Sequence, residues 1–321
     1  MNCLNLAEKL AAKILRSKKD PMKKYYKRFR KHSFSGNCCE NEQQYEALIT
    51  KLYHAVEKGL SYLNYRPGFG QKNIEDLMML LEAYSERYDV SAFFYETALS
   101  TLAEYVKKNK EFGHEDVALE ARIHALKGKA NTYGGAMEFE PFSKGVEGLD
   151  FDGFVKSRHS LRHFSETPVD IDCVKRAIEL AQHTPSACNR QGWRTRVIRN
   201  REKIQSVLQN QNGNRGFGEE IDVLLVVTGD LRYFNKSREA HQVFIDGGMY
   251  AMNVLHALHH EGLASVPLSA SLTVNQEENV RKAIGMDEAE VLILFIGVGN
   301  YPEKCITTKS SRKPCEITVL G

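Results

Sequence analysis

Apolar positions recur every three or four residues over the first part of the chain. Leu48, Leu52, Val56 and Leu60 form one such set, and Leu77, Leu80, Leu81 and Tyr84 another. A third set comprises Ala92, Phe94, Tyr95, Ala98, Leu99, Leu102 and Tyr105. Each set falls on one face of a helix, so residues 1 to about 130 are predicted to be all-helical. Pro67-Gly68-Phe69-Gly70 punctuates two of these helices. Residues 131–150 are rich in Gly and Phe and read as a linker.

From residue 151 the pattern changes. Val169-Asp170-Ile171-Asp172 opens a helix that continues through Val174, Ala177, Ile178, Leu180 and Ala181. Asp222 to Thr228 is a short, nearly continuous apolar run rich in β-branched residues, as expected of a buried strand. A long helix is predicted over residues 238–261. Its middle carries Gly247-Gly248, where each glycine costs up to ~1 kcal/mol relative to alanine, which points to the close approach of another backbone or a ligand. Glu290 to Gly299 reads as a second buried strand. The fold class is therefore α+β preceded by an all-α region, with domains at 1–150 and 151–321.

Composition narrows the function. Of 321 residues 42% are hydrophobic and 26% charged, and the net charge is only +3, which argues against a dedicated nucleic-acid binder. Seven scattered cysteines, an odd number without a C-x-x-C, fit a reduced cytoplasmic setting. The first residues lack the order of a signal peptide, and no apolar run approaches the ~20 residues of a membrane span. The basic segment from Arg16 to Lys31 is interleaved with Tyr25, Tyr26 and Phe29. It reads as a solvated helix face with inward aromatics; the alternative is contact with phosphates or an anionic membrane.

Two motifs carry the chemistry. Arg158-His159-Ser160-Leu161-Arg162 gathers two guanidiniums and a hydroxyl, which suits a phosphate and an electron-rich ring. Thr184-Pro185-Ser186-Ala187-Cys188-Asn189-Arg190-Gln191-Gly192-Trp193 is a turn expected to offer free backbone N–H groups to a planar polar ligand. Further on stand Leu268-Ser269-Ala270, after the long helix, and Ser311-Arg312-Lys313-Pro314. Together these segments resemble the flavin-binding signature of the nitroreductase family. The second motif departs from the family's A-P-S-x-x-N-x-Q-P-W at Gly192, which stands where proline is usual.

The resemblance implies a nitroreductase-like fold over residues 151–321: a central mixed sheet flanked by helices, dimeric, with FMN at the dimer interface. It implies Arg158 as a phosphate ligand, Ser160 as a phosphate or ribityl donor, His159 as a flavin contact, and Arg162 near N1 and the C2 carbonyl. Pro185, Ser186 and Ala187 would line the isoalloxazine ring. Asn189 and, more loosely, Asn214 would supply amides, Ser269 and Ala270 a backbone N–H toward N5, and Arg312 a second phosphate clamp. The implied activity is ping-pong hydride transfer from NAD(P)H through flavin N5 to a small nitro or quinone acceptor, with no catalytic side chain required. Two alternatives stand beside it. One is a non-catalytic scaffold whose basic helical domain docks a partner; the other is a flavin dehydrogenase of a metabolite or saccharide that does not use NAD(P)H.

Other constellations are expected to be incidental. His256, His259 and His260 have helical spacing that suits zinc, but no carboxylate or thiol pattern completes a site, so no metal is expected. No Gly-x-Gly-x-x-Gly follows a strand and there is no Gly-x-Ser-x-Gly elbow. Cys188 reads as an ordinary small side chain in a tight turn.

Overall fold

The computed structural model describes residues 21–34, 39–60, 65–136, 150–235, 237–303, 305 and 317–321. Among the described residues five helices come first: α1 (Pro21–His32), α2 (Glu42–Leu60), α3 (Gln71–Ser85), α4 (Phe93–Glu111) and α5 (Val117–Ala125). They pack around a core that includes Leu48, Ile49, Leu77, Leu81, Tyr84, Tyr95 and Leu102. In α1, Tyr25 and Phe29 lie four residues apart and are buried, as the inward-aromatic reading of the basic segment expects, whereas Tyr26 is exposed. Residues 131–136, read as the start of a linker, lie back against the helices: Asn131 Nδ2 donates to Thr97 Oγ1 and the Gly135 N–H to Glu57.

The second half contains α6 (Phe151–Ser157), α7 (Ile171–Ala181), β1 (Trp193–Ile198), α8 (Arg201–Leu208), β2 (Val223–Asp230), α9 (Gln242–His260), β3 (Leu263–Ser269), α10 (Val274–Ile284) and β4 (Glu290–Asn300). The strands form one sheet in the order β1-β2-β4-β3, every pairing antiparallel. The described strands are thus wholly antiparallel where a mixed sheet was expected; among the described residues one isolated parallel bridge, Ser160 to Ser265, lies against β3. Alternation along β2 builds two cores. Leu224 and Val226 face Ile204 and Val207 of α8 and Val280 of α10. Val223, Leu225 and Val227 face Val174 and Ala177 of α7 and Tyr250 and Val254 of α9.

Local signals set the boundaries. Thr273 and Gln276 form a reciprocal capping box at the start of α10, and Gly285 ends it in the left-handed region. The predicted helix over 238–261 is shorter at its start, because Ser237–Glu239 is a separate 3₁₀ turn. The Gly247-Gly248 pair divides its labour. A Cβ on Gly247 would lie 2.8 Å from Ile293 of β4, so the close approach is to the sheet. Gly248 faces open space.

The two halves are joined by packing and charge. Leu231, Tyr233, Phe234, Val243 and Val291 belong to the same core as the N-terminal helices. Lys24, Arg28 and Lys31 pair with Glu278, Glu277 and Glu288, so part of the basic run is spent on docking α1. Among the described residues no helix is long and apolar enough to cross a membrane.

Gly247→Ala is expected to lower stability by about 1–3 kcal/mol through overpacking. Ile293→Val in the same chain should restore part of that loss, as read by urea unfolding of both variants.

Candidate flavin site

The second motif folds as a strained turn. Cys188, Asn189 and Gln191 all adopt positive φ, at 53°, 54° and 51°, a region that costs non-glycine residues energy unless surrounding bonds enforce it. Here they do. The Asn189 N–H donates to Ser186 O, the Arg190 N–H to Ala187 O, and the Gln191 N–H to Ser186 Oγ at 3.0 Å. The Ala187 N–H points at the Asp246 carboxylate, 3.2 Å away. The expectation that this turn offers free N–H groups is therefore corrected for these four residues: they are consumed in holding the turn. What the turn presents is Pro185, Ser186, Ala187 and the Asn189 side chain, whose Oδ1 accepts from Gln191 Nε2.

Two residues beneath the turn escaped the sequence reading. Arg190 is buried, donates to Ala187 O and Tyr233 O, pairs with Glu239 at 2.8 Å and lies over the Phe234 ring. Asp246 is 2% exposed and accepts from both Ala187 N–H and Gln242 Nε2. Burial pushes its carboxyl above the ordinary value, against the bonds from Gln242 and Ala187 that pull it down. An aspartate in the apolar stretch before Gly247-Gly248 was the one available signal. Behind the turn, Trp193 stacks on Tyr250 at 4.8 Å, and its indole N–H donates to Gln182.

The first motif lies elsewhere. Arg158 caps the end of α6, and Ser160 bridges Ser265 on β3, with the Leu161 N–H donating to Ser265 O. The chain thus runs beside β3 in the direction of Ser269. At that end Gln211 Nε2 donates to Ser269 O, which ties the Asn212–Gly218 loop to β3. Asn214 sits in that loop, but its Nδ2 donates to the carbonyls of Leu208 and Gln211 and is occupied in shaping the loop. The structure so brings Ser160, the exposed Arg162, Ser269, Ala270 and the Asn214 loop along one edge of the sheet. His159 is exposed nearby. Arg312 lies outside the described residues.

Arg158 faces the other end of α9, where its charge acts on His256 and His259. Its Nη1 and the Nε2 of His256 are buried without a hydrogen-bond partner. Buried donors left unpaired cost free energy, and an anion such as a phosphate would satisfy them. The two motifs thus occupy opposite ends of one helix: Asp246 and His256 are ten residues apart, about 15 Å along the axis.

With this geometry in view, the likeness to known proteins is informative. A model of the nitroreductase family matches residues 155–211 and 205–300. A Methanothermobacter thermautotrophicus protein provisionally named NADH dehydrogenase/NAD(P)H nitroreductase is 24% identical over 174 residues, 54% of this chain and 87% of its own length. A nitroreductase family protein from Streptococcus pneumoniae has a solved structure with a TM-score of 0.45 and 24% identity, covering 51% of this chain and 96% of that one. The structure of a provisionally assigned nitroreductase in complex with FMN, from Desulfovibrio desulfuricans, gives 0.45 and 21%, covering 52% and 92%.

Asp246→Ala is expected to loosen the turn and cost about 1–3 kcal/mol, the penalty for unpairing a buried N–H. The raised Asp246 carboxyl also fixes a sign. The folded state holds its proton longer than the unfolded chain, so Asp246 lowers stability as pH rises above 3.8 toward its folded value. Asp246→Asn should remove that decline in urea unfolding followed from acid to neutral pH. The match over residues 155–211 and 205–300 identifies a nitroreductase family domain in the C-terminal half of this chain.

Proposed function

We propose that the C-terminal domain, residues 151–321, is an FMN-dependent oxidoreductase fed by NAD(P)H and discharging to a small nitro or quinone acceptor, with residues 1–150 as an appended helical domain. The reading rests on the family match and on the resemblance of both motifs to its flavin signature. The observation that carries it is the pair of buried, unpartnered nitrogens at Arg158 and His256, Arg158 lying two residues before the bridge from Ser160 to β3. When bound, FMN would supply the hydride-accepting atom; the chain supplies position and electrostatics. Arg158 would hold the phosphate, Ser160 a phosphate or ribityl oxygen, and Arg162 would favour negative charge at N1 and the C2 carbonyl. Pro185, Ser186, Ala187 and Asn189 would line the ring, with Ser269 and Ala270 toward N5. Asp246 and Arg190 keep the turn in its strained shape, which pre-organises the ring surface at no cost during turnover.

The separation of the motifs supports a homodimer. Ile245, Gly248, Met249 and Met252 share one face of α9. Ile245, Met249 and Met252 are 53%, 40% and 39% exposed, and a Cβ on Gly248 would meet nothing within 4 Å. A two-fold crossing of this face against a second copy would bring the turn at the start of one α9 toward the Arg158 end of the other, completing a site that neither chain completes alone.

The purified 321-residue chain is expected to be yellow and to bleach on anaerobic addition of NADPH. A yellow protein that does not bleach would favour the reading without NAD(P)H. A protein that stays colourless after incubation with FMN would overturn the enzyme reading in favour of a scaffold. Met249→Glu, which places charge in the centre of the apolar face, should yield a monomer by sedimentation velocity and lose bound flavin with it.

A further inference from the structure

Four basic side chains converge where α9 ends. Arg158 closes α6, His159 follows it, and His256 and His259 stand one turn apart on α9. The Phe154 ring lies against both imidazoles, with centroids at 5.7 and 5.1 Å. His259 is held at both ring nitrogens: Ser157 Oγ is 2.8 Å from Nε2, and the Tyr301 hydroxyl is 3.2 Å from Nδ1. His256 differs. Its Nε2 is buried with no partner, as is Nη1 of Arg158.

The charges that act on these imidazoles are all of one sign. Arg158 acts on both, and His256 and His159 act on His259. The other titratable neighbours are Tyr301 and, beside it, Cys305. Burial first, then Arg158, holds both imidazoles below their ordinary value. A guanidinium partly withdrawn from water among imidazoles, with no carboxylate among the described residues acting on either imidazole, is an arrangement that an anion would stabilise.

We propose that His256 binds the phosphate monoester of the flavin nucleotide together with Arg158 and takes up a proton as the anion arrives. The proposal rests on the FMN reading above and adds to it a titrating ligand that lies outside both motifs. Without the anion His256 is neutral near pH 7. A phosphate dianion beside it raises its proton affinity. Between the free and the bound value, binding takes up a proton, so affinity falls as pH rises through that window, by at most about tenfold per pH unit for one imidazole. Arg158 stays charged throughout and provides the part of the affinity that does not depend on pH. His259, fixed by Ser157 and Tyr301, keeps Phe154 and His256 in register.

The test is a fluorescence titration of the 321-residue chain, stripped of flavin, with FMN and with riboflavin, from about pH 6.5 to about pH 8, above the value of the free imidazole. FMN affinity should fall with rising pH while riboflavin affinity stays flat, and His256→Asn should flatten the FMN profile. The second ionisation of the FMN phosphate, near pH 6, is common to both proteins and cancels in the comparison. Identical FMN profiles for wild type and His256→Asn would overturn the proposal, as would a riboflavin profile as steep as that of FMN. Should the variant not fold, proton uptake by the wild type decides: FMN binding in weakly buffered solution at about pH 7.5 should consume protons and riboflavin binding should not. FMN binding without proton uptake overturns the proposal and leaves the cofactor reading intact. If neither flavin binds at any pH, the cofactor reading itself is overturned, and the proposal with it.

Discussion

The seating of α9 on the sheet is the constraint on which the rest depends. Gly247 lets the helix close on Ile293 of β4, and a Cβ on Gly229 of β2 would lie 2.3 Å from Val243. The Trp193–Tyr250 stack presses β1 against the same helix. Close seating fixes both ends of α9 relative to the sheet. Its first turns offer Asp246 to the turn at Ala187, and its last turns offer His256 and His259 to Arg158. A helix standing an ångström or two further out would release the turn from its strained form, because the carboxylate that holds the Ala187 N–H would be out of reach.

A second constraint ties the helical half to that frame. Asp230 and Glu290 are both fully buried and surrounded by Arg194, Arg196 and Arg232, with Thr228 donating to Glu290. Buried carboxylates are tolerable only when paired and hydrogen-bonded in this way. Arg28 of α1 reaches the same place, donating to Glu290 O. From the other side, Tyr233 donates to Glu46 of α2 while its carbonyl accepts from Arg190 under the turn. Burial pushes the Glu46 carboxyl up, despite the Tyr233 bond. The N-terminal helices are thus in mechanical contact with the Ala187–Asn189 turn, which α2 also touches directly.

What was legible in the sequence follows from what is local. The apolar period of α2, α3 and α4, the β-branched run of β2 and the apolar run of β4 depend on near neighbours and were readable. So were the motif positions, because a turn such as Pro185 to Gln191 is defined by consecutive residues. The commitments of the groups were not readable. That Asp246 consumes the Ala187 N–H, that Asn214 spends its amide on Leu208 and Gln211, and that Arg190 is buried against Glu239 all depend on partners far along the chain or on the backbone path of a loop. The double glycine pointed to close approach, but only the packed structure distinguishes Gly247, against the sheet, from Gly248, which faces open space.

The central claim is that one chain holds half of each site, with the Arg158 end and the Asn189 turn meeting across a two-fold axis. It can be tested by mixing two variants, Arg158→Ala and Asn189→Ala, after dissociation and measuring FMN bound by the re-formed protein. If the motifs act between chains, each mixed pair contains one site bearing both lesions and one intact site, so flavin binding returns on mixing although neither variant binds it alone. If mixing restores nothing, both motifs act within the same chain, and the account of α9 as a frame shared between two copies is wrong.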